Sequence, residues 1–198
     1  MGSLNIPNML LVGSTARNTG KTTFCTEFIR KWREKRDIIG IKITTIHAEK
    51  GPCPRGEEGC GVCSSFIGDY EIVEENDPLG RKDTCTLLAE GAKKVYLVRS
   101  LPHRLSEAVD RVMALSPEDA IIVCESNALA SIVTPGVIVV THRPGVDNIK
   151  PSAKPMLEKA DLTVNVGEPG SLRQALEKIE ITYNGGETRL RFFKPEDI

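Results

Sequence analysis

No apolar run in this sequence approaches the roughly 18 residues that a membrane-crossing helix needs. The first residues, Met1 to Asn8, carry no charged segment followed by a hydrophobic one, so no secretory signal is read there. The expectation is a cytoplasmic chain without a membrane partner. An excess of charge of either sign is also missing. With 26 Lys and Arg against 27 Asp and Glu, the net charge is -1, and nothing in the overall balance draws the chain to nucleic acid or to an anionic surface. No internal repeat is visible. Six cysteines in a chain of this kind do not suggest a disulfide framework, which leaves thiols or metal ligands. A length of 198 residues with 40% hydrophobic content fits one domain over 1–198.

The stretch richest in chemistry is Met9 to Thr23, MLLVGSTARNTGKTT. Four apolar residues run into a glycine and small polar residues, then Gly20-Lys21-Thr22-Thr23, then an amphipathic pattern. That is the strand, loop, helix order of a phosphate-binding loop. There, backbone N–H groups and the positive end of the helix face a polyphosphate. Gly20 lets the backbone pass close to the phosphates, Lys21 offers a mobile cation to the β and γ groups, and the Thr22 hydroxyl can ligate Mg²⁺. The candidate nucleotide-binding set is Thr15, Arg17, Asn18, Thr19, Gly20, Lys21, Thr22, Thr23 and Asp83, with Lys21 and Glu125 the candidate catalytic residues. The full pattern, G-x-x-x-x-G-K-[ST], wants a glycine where Thr15 stands, and Gly13 comes two positions too early. The missing glycine mainly relieves crowding, so its loss is expected to alter the turn more than the phosphate cradle.

After the loop, Phe24, Phe28, Ile29 and Trp32 recur on one face of a helix predicted over Lys21 to Arg36. They read as core packing rather than as a base-stacking platform. Ile38 to Ile43 has the short, β-branched character of a buried strand. Further strands are predicted at Asp69 to Ile72 (an edge), Val95 to Val98, Ala120 to Cys124, Val137 to Val140 and Leu162 to Val166. Helices are predicted from about Lys82 to Glu90 with Gly91 as cap, and at His103 to Leu115, Lys154 to Ala160 and Ser171 to Ile179. Asn184-Gly185-Gly186 between two alternating runs signals a C-terminal β-hairpin. Strands alternating with helices give a mainly parallel sheet covered on both faces, with ligands at the carboxyl ends of the strands. Thr15 to Thr22, His47, Glu125 and Thr141 should converge there.

Glu125 follows a fully apolar strand, where phosphate-loop proteins keep the acid that holds Mg²⁺ or its water; otherwise it is a plain strand-end carboxylate. Asp83 opens a helix and is either a capping residue or a second magnesium or substrate carboxylate. Thr141-His142-Arg143-Pro144 falls where related folds recognise a base. Guanine would call for a carboxylate, and the nearest, Asp147, comes several residues late.

A Cys-rich insertion at about 49–66, containing EKGPCPRGEEGCGVCSS, has no regular pattern of its own. Its Cys53, Cys60 and Cys63 stand as C-x6-C-x2-C, and the closer pair has half-site spacing for zinc or an iron–sulfur cluster. The fourth ligand would be His47, Cys85 or a residue of a second subunit, and the alternative is a redox-active or merely flexible loop. Cys25 and Cys124 read as buried small apolar residues.

Three stretches together resemble the MobB-like family, the nucleotide-binding accessory proteins of molybdopterin-guanine dinucleotide biosynthesis. They are Gly20 to Thr23, the strand end Ile41 to His47, and DYEIVEENDPLGRKDT leading through a helix to AEGAKKVYLV. In the last, Lys82, Asp83 and Thr84 occupy the family's Lys-Asp-Ser positions. The likeness spans roughly residues 9–125. It departs from the family in keeping only His47 after the second strand and in carrying the cysteine insertion.

The resemblance implies a three-layer α/β/α P-loop NTPase fold of the MinD-like and dethiobiotin synthetase-like branch. It also implies GTP binding, a homodimer, and partnership with the nucleotidyltransferase that attaches GMP to molybdopterin. The leading expectation is thus Mg²⁺-dependent binding and slow hydrolysis of GTP or ATP in molybdenum cofactor assembly, with Thr22 and Glu125 holding the magnesium. One alternative is a nucleotide-dependent switch or delivery protein that binds zinc or an iron–sulfur cluster and serves another metal cofactor. Another is a small-molecule kinase or ATP-dependent ligase. On the metal reading, replacing Cys60 and Cys63 together by Ser removes the bound metal in elemental analysis of anaerobically purified protein; unchanged stoichiometry would put the ligands elsewhere.

Overall fold

The first strand is longer than its apolar core. In the computed structural model, which describes residues 3–46, 66–146 and 148–193, β1 runs over Leu4–Ser14. Its pairing register shifts between Ile6 and Leu10. Pro7 lies in that interval and has no N–H to give the ladder. The irregularity hides the first half of the strand from a pattern search that starts at Met9.

α1 (Lys21–Trp32) follows the loop and leads into β2 (Ile38–Thr45), and β3 (Tyr70–Glu74) lies beyond the insertion. Then come α2 (Asp83–Ala89), β4 (Lys94–Ser100), α3 (Leu105–Met113), β5 (Ile121–Glu125) and β6 (Val133–His142). The chain continues through α4 (Lys154–Lys159), β7 (Leu162–Asn165) and α5 (Ser171–Glu177). A hairpin of β8 (Ile179–Asn184) and β9 (Glu187–Phe192), turning at Gly185-Gly186, completes the described chain. No described helix is long and apolar enough to cross a membrane.

Seven strands form one sheet in the order β3-β4-β2-β5-β1-β6-β7. All the pairings are parallel except that of the edge strand β3 with β4. Alternation along the strands splits the core in two. Met9, Leu11, Ile41, Ile122 and Cys124 pack with Ala108, Val109 and Val112 of α3 and Met156 of α4. Leu10, Val12, Ile38, Val123 and Val139 pack with Phe24, Phe28 and Ile29 of α1, Leu87 of α2 and Leu176 of α5. The hairpin joins that second layer through Ile179 and Leu190. A mostly parallel sheet covered on both faces is therefore the architecture, as the alternation of strand and helix patterns predicts.

Several helices begin or end away from their predicted limits; α5 stops at Glu177, and Ile179, predicted as its last residue, opens β8 instead. α1 stops at Trp32 instead of Arg36, and the amides of Lys35 and Arg36 both turn back to the Trp32 carbonyl. Arg33, Glu34, Lys35 and Arg36 bring no apolar anchor, so nothing holds a further turn to the core. Before α3, Pro102–Arg104 forms a single 3₁₀ turn, since Pro102 fits the start of a helix but donates no hydrogen bond. His47, the cysteine insertion with Cys53, Cys60 and Cys63, and Asp147 lie outside the described residues.

Phe28 is fully buried between α1 and the sheet. Phe28→Ala is expected to cost about 3–5 kcal/mol of stability, read as a lowered urea midpoint; a loss below about 1 kcal/mol would contradict the packing described.

Candidate functional site

The sheet order places β1 between β5 and β6, and brings the carboxyl ends of β1, β2 and β5 together. α1 and α2 both begin over that end, on the same face of the sheet. Glu125, the last residue of β5, stands in register with Val12 on one side and Lys42 on the other. In-register neighbours of parallel strands point to the same face, so Lys42 and Glu125 meet under the starts of α1 and α2.

The loop is shaped by backbone needs as much as by side chains. Asn18 adopts φ 53° and Gly20 φ 84°, the left-handed region that favours glycine and that asparagine tolerates. A Cβ on Gly20 would also lie 2.7 Å from the Val166 side chain. Gly20 is the N-cap residue of α1. The first intrahelical bond runs from the Phe24 amide to the Gly20 carbonyl, which leaves the amides of the first turn for something outside the helix. The early Gly13 has its own reason: it is still in β1, where a Cβ would come 2.5 Å from the Met156 methyl and 3.0 Å from Asn127 Oδ1.

Side chains then tie loop to sheet. Lys21 Nζ donates to Ser14 Oγ at 2.8 Å and lies 4.0 Å from Glu125 Oε1. Thr22 Oγ1 donates to Glu125 Oε2 at 3.0 Å. Lys42 Nζ is 3.3 Å from Glu125 Oε1 and also pairs with Asp83. Glu125 is only 4% exposed, so its charge is matched at close range by two ammonium groups and a hydroxyl. Burial lowers the pKa of Lys21 and is partly opposed by Glu125. Burial acts the same way on Lys42, but Glu125 and Asp83 together outweigh it and its pKa ends up raised.

The other sequence candidates take varied places. Arg17, Asn18 and Thr23 are exposed around the loop. Thr19 is buried, its hydroxyl donating to the Ala16 carbonyl at 2.9 Å. Thr15 is also buried. Its amide donates to the Thr141 carbonyl at 3.0 Å and its carbonyl accepts from Lys150, so its backbone is already engaged with the strand β6 side. Thr15 Oγ1 is buried without a hydrogen-bond partner. Asp83 is not the capping residue of α2, which is Lys82; it is the first helical residue and serves as the partner of Lys42. Thr15 with His142, Arg143, Val146, Ile149 and Leu157 lines a cavity of about 390 Å³ beside the loop. A larger hollow of about 660 Å³ lies apart, lined by Glu27, Arg30, Leu172 and Leu176 among others.

Three contributors escape the motif. Ser14 receives Lys21. Asn127 clamps Ser14 from both sides, its Oδ1 accepting the Ser14 amide at 2.9 Å and its Nδ2 donating to the Ser14 carbonyl at 2.8 Å. Lys42 is the third, and its signal was in plain view: a lone charge inside the apolar run Ile38 to Ile43, in a strand buried on both sides.

Together these parts present a helix N-terminus, a flexible cation and a hydroxyl–carboxylate pair of hard oxygen donors. The donor chemistry of Thr22 and Glu125 fits Mg²⁺. Among the described residues no group of three or more His, Cys, Asp and Glu side chains is gathered to hold a metal, so such an ion would complete its coordination with water or with phosphate oxygens. Comparison of the chain with protein-family models, with curated proteins and with solved structures finds no match.

Three cysteines are buried here: Cys25, Cys85 and Cys124. Burial, reinforced by nearby Glu125, pushes the Cys25 and Cys124 thiols up, away from the reactive thiolate. All three are expected to resist iodoacetamide in the folded protein and to react in urea, as read by peptide mass spectrometry; labelling of Cys25 or Cys124 in the native state would contradict the packing around them.

Proposed function

We propose that this chain binds a nucleoside triphosphate with Mg²⁺ at the Ser14 to Thr22 loop, on a P-loop NTPase fold, and hydrolyses it slowly. The observation that carries the reading is the meeting of Thr22 and Lys21 with the buried Glu125 directly behind a left-handed Gly20 at the start of α1. The amides of the first turn of α1 would receive phosphate oxygens, aided by the helix dipole. Lys21, parked on a neutral serine hydroxyl, would move to the phosphates at the loss of one hydrogen bond and part of its attraction to Glu125. Thr22 and Glu125 would hold magnesium, which would supply positive charge against that of the phosphates. The cavity bounded by Thr15, His142 and Arg143 adjoins the loop and is the natural place for the base.

The resemblance to MobB-like proteins supports placing this activity in molybdenum cofactor assembly, with the chain acting as a homodimeric accessory to a nucleotidyltransferase. Lys21→Ala is expected to weaken binding of fluorescent GTP and ATP analogues at least 100-fold while leaving the circular dichroism spectrum unchanged. Unchanged affinity in a folded variant would remove the reading.

A further inference from the structure

Lys42 is a costly residue for its position. It projects from a central strand between buried Ile41 and Ile43, with paired strands on both sides, and a charge in such a place must be compensated. Its compensation comes from two different elements, Glu125 at the end of β5 and Asp83 at the start of α2. Two carboxylates that reach one ammonium can also share one divalent cation, and Thr22 already holds the second oxygen of Glu125. The balance of the cluster is equally telling. Lys21 and Lys42 against Glu125 and Asp83 sum to zero, so a divalent cation approaching alone meets no net negative charge. A triphosphate changes that sum by several negative charges at once.

We propose that Lys42 is a built-in counter-ion that holds the divalent-cation position between Glu125 and Asp83, so that metal is taken up only together with the nucleotide's phosphates. This deepens the nucleotide reading and rests on it for the second half. Removing the positive charge leaves two facing carboxylates with one fewer cation, and those carboxylates should then recruit a metal ion with no nucleotide present.

The test is Mn²⁺ binding to the full chain, followed by the loss of the free-ion electron paramagnetic resonance signal, with no nucleotide in solution. Wild type and K42R should bind Mn²⁺ weakly. K42M should bind one Mn²⁺ per chain at least tenfold more tightly than wild type, and the gain should disappear in the K42M/E125Q double variant. K42Q, which is neutral but keeps a hydrogen-bond donor, is the second variant should K42M not fold by circular dichroism. A K42M or K42Q protein that binds Mn²⁺ no better than wild type would overturn the proposal, as would a gain that survives E125Q.

A parallel titration with a non-hydrolysable triphosphate separates this idea from the reading beneath it. Wild-type Mn²⁺ affinity should rise at least tenfold with the analogue, and that of K42M should rise far less. Wild type that binds the analogue with no change in Mn²⁺ affinity would sink the counter-ion coupling alone. Wild type that binds no analogue at all would sink the nucleotide reading and the coupling with it.

Discussion

A carboxylate buried at the end of an apolar strand is costly unless positive charge and hydrogen-bond donors surround it, and the arrangement around Glu125 answers that constraint. The compensating groups come from separate elements of the fold. Lys42 is its in-register neighbour on β2, Lys21 and Thr22 belong to the first turn of α1, and Asp83, from α2, balances Lys42. None of these would be near Glu125 without the strand order that puts β5 between β1 and β2. The site is in this sense a consequence of topology before it is a consequence of motif.

The rest of the sheet serves to hold that corner still. Two separate apolar layers, one under α3 and α4 and one under α1, α2, α5 and the hairpin, fix the central strands from both faces. Asn127, two residues beyond Glu125, holds both backbone groups of Ser14, so the loop's first residue and the acidic strand end move as one piece. Thr15 is tied in turn to β6 through Thr141. Beyond these anchors the loop depends on two left-handed residues, Asn18 and Gly20, to turn into α1. Fixed ends and two left-handed residues between them give the loop one defined path into α1.

Much of this fold can be read from the sequence, and the exceptions have physical causes. Short β-branched runs such as Ile38 to Ile43 and Ala120 to Cys124 mark central strands because only a sheet covered on both faces buries them completely. The amphipathic period of α1 and the Gly-Gly turn of the hairpin are local signals and lie within a few residues of the chain that obeys them. The first half of β1 is hidden by Pro7, and the end of α1 depends on a missing tertiary anchor that no local pattern reports. In the candidate site, the strand-end position of Glu125 follows from the apolar run before it, and its convergence with Thr22 from the rule that ligands gather at the carboxyl ends of a parallel sheet. The Asn127 clamp and the Lys42–Asp83 pair do not, because they depend on side chains from separate elements whose meeting no motif or periodic pattern reports. Lys42 was nonetheless visible as a charge where the strand pattern allows none.

The central claim is that the corner around Glu125 receives a triphosphate with its magnesium. The most direct measurement is calorimetric titration of the purified chain with GTP and with ATP, each with magnesium and with the metal chelated. The account predicts saturable binding of at least one of them near one per chain, weakened severalfold or more by chelation. No binding of either nucleotide, with or without magnesium, would contradict it.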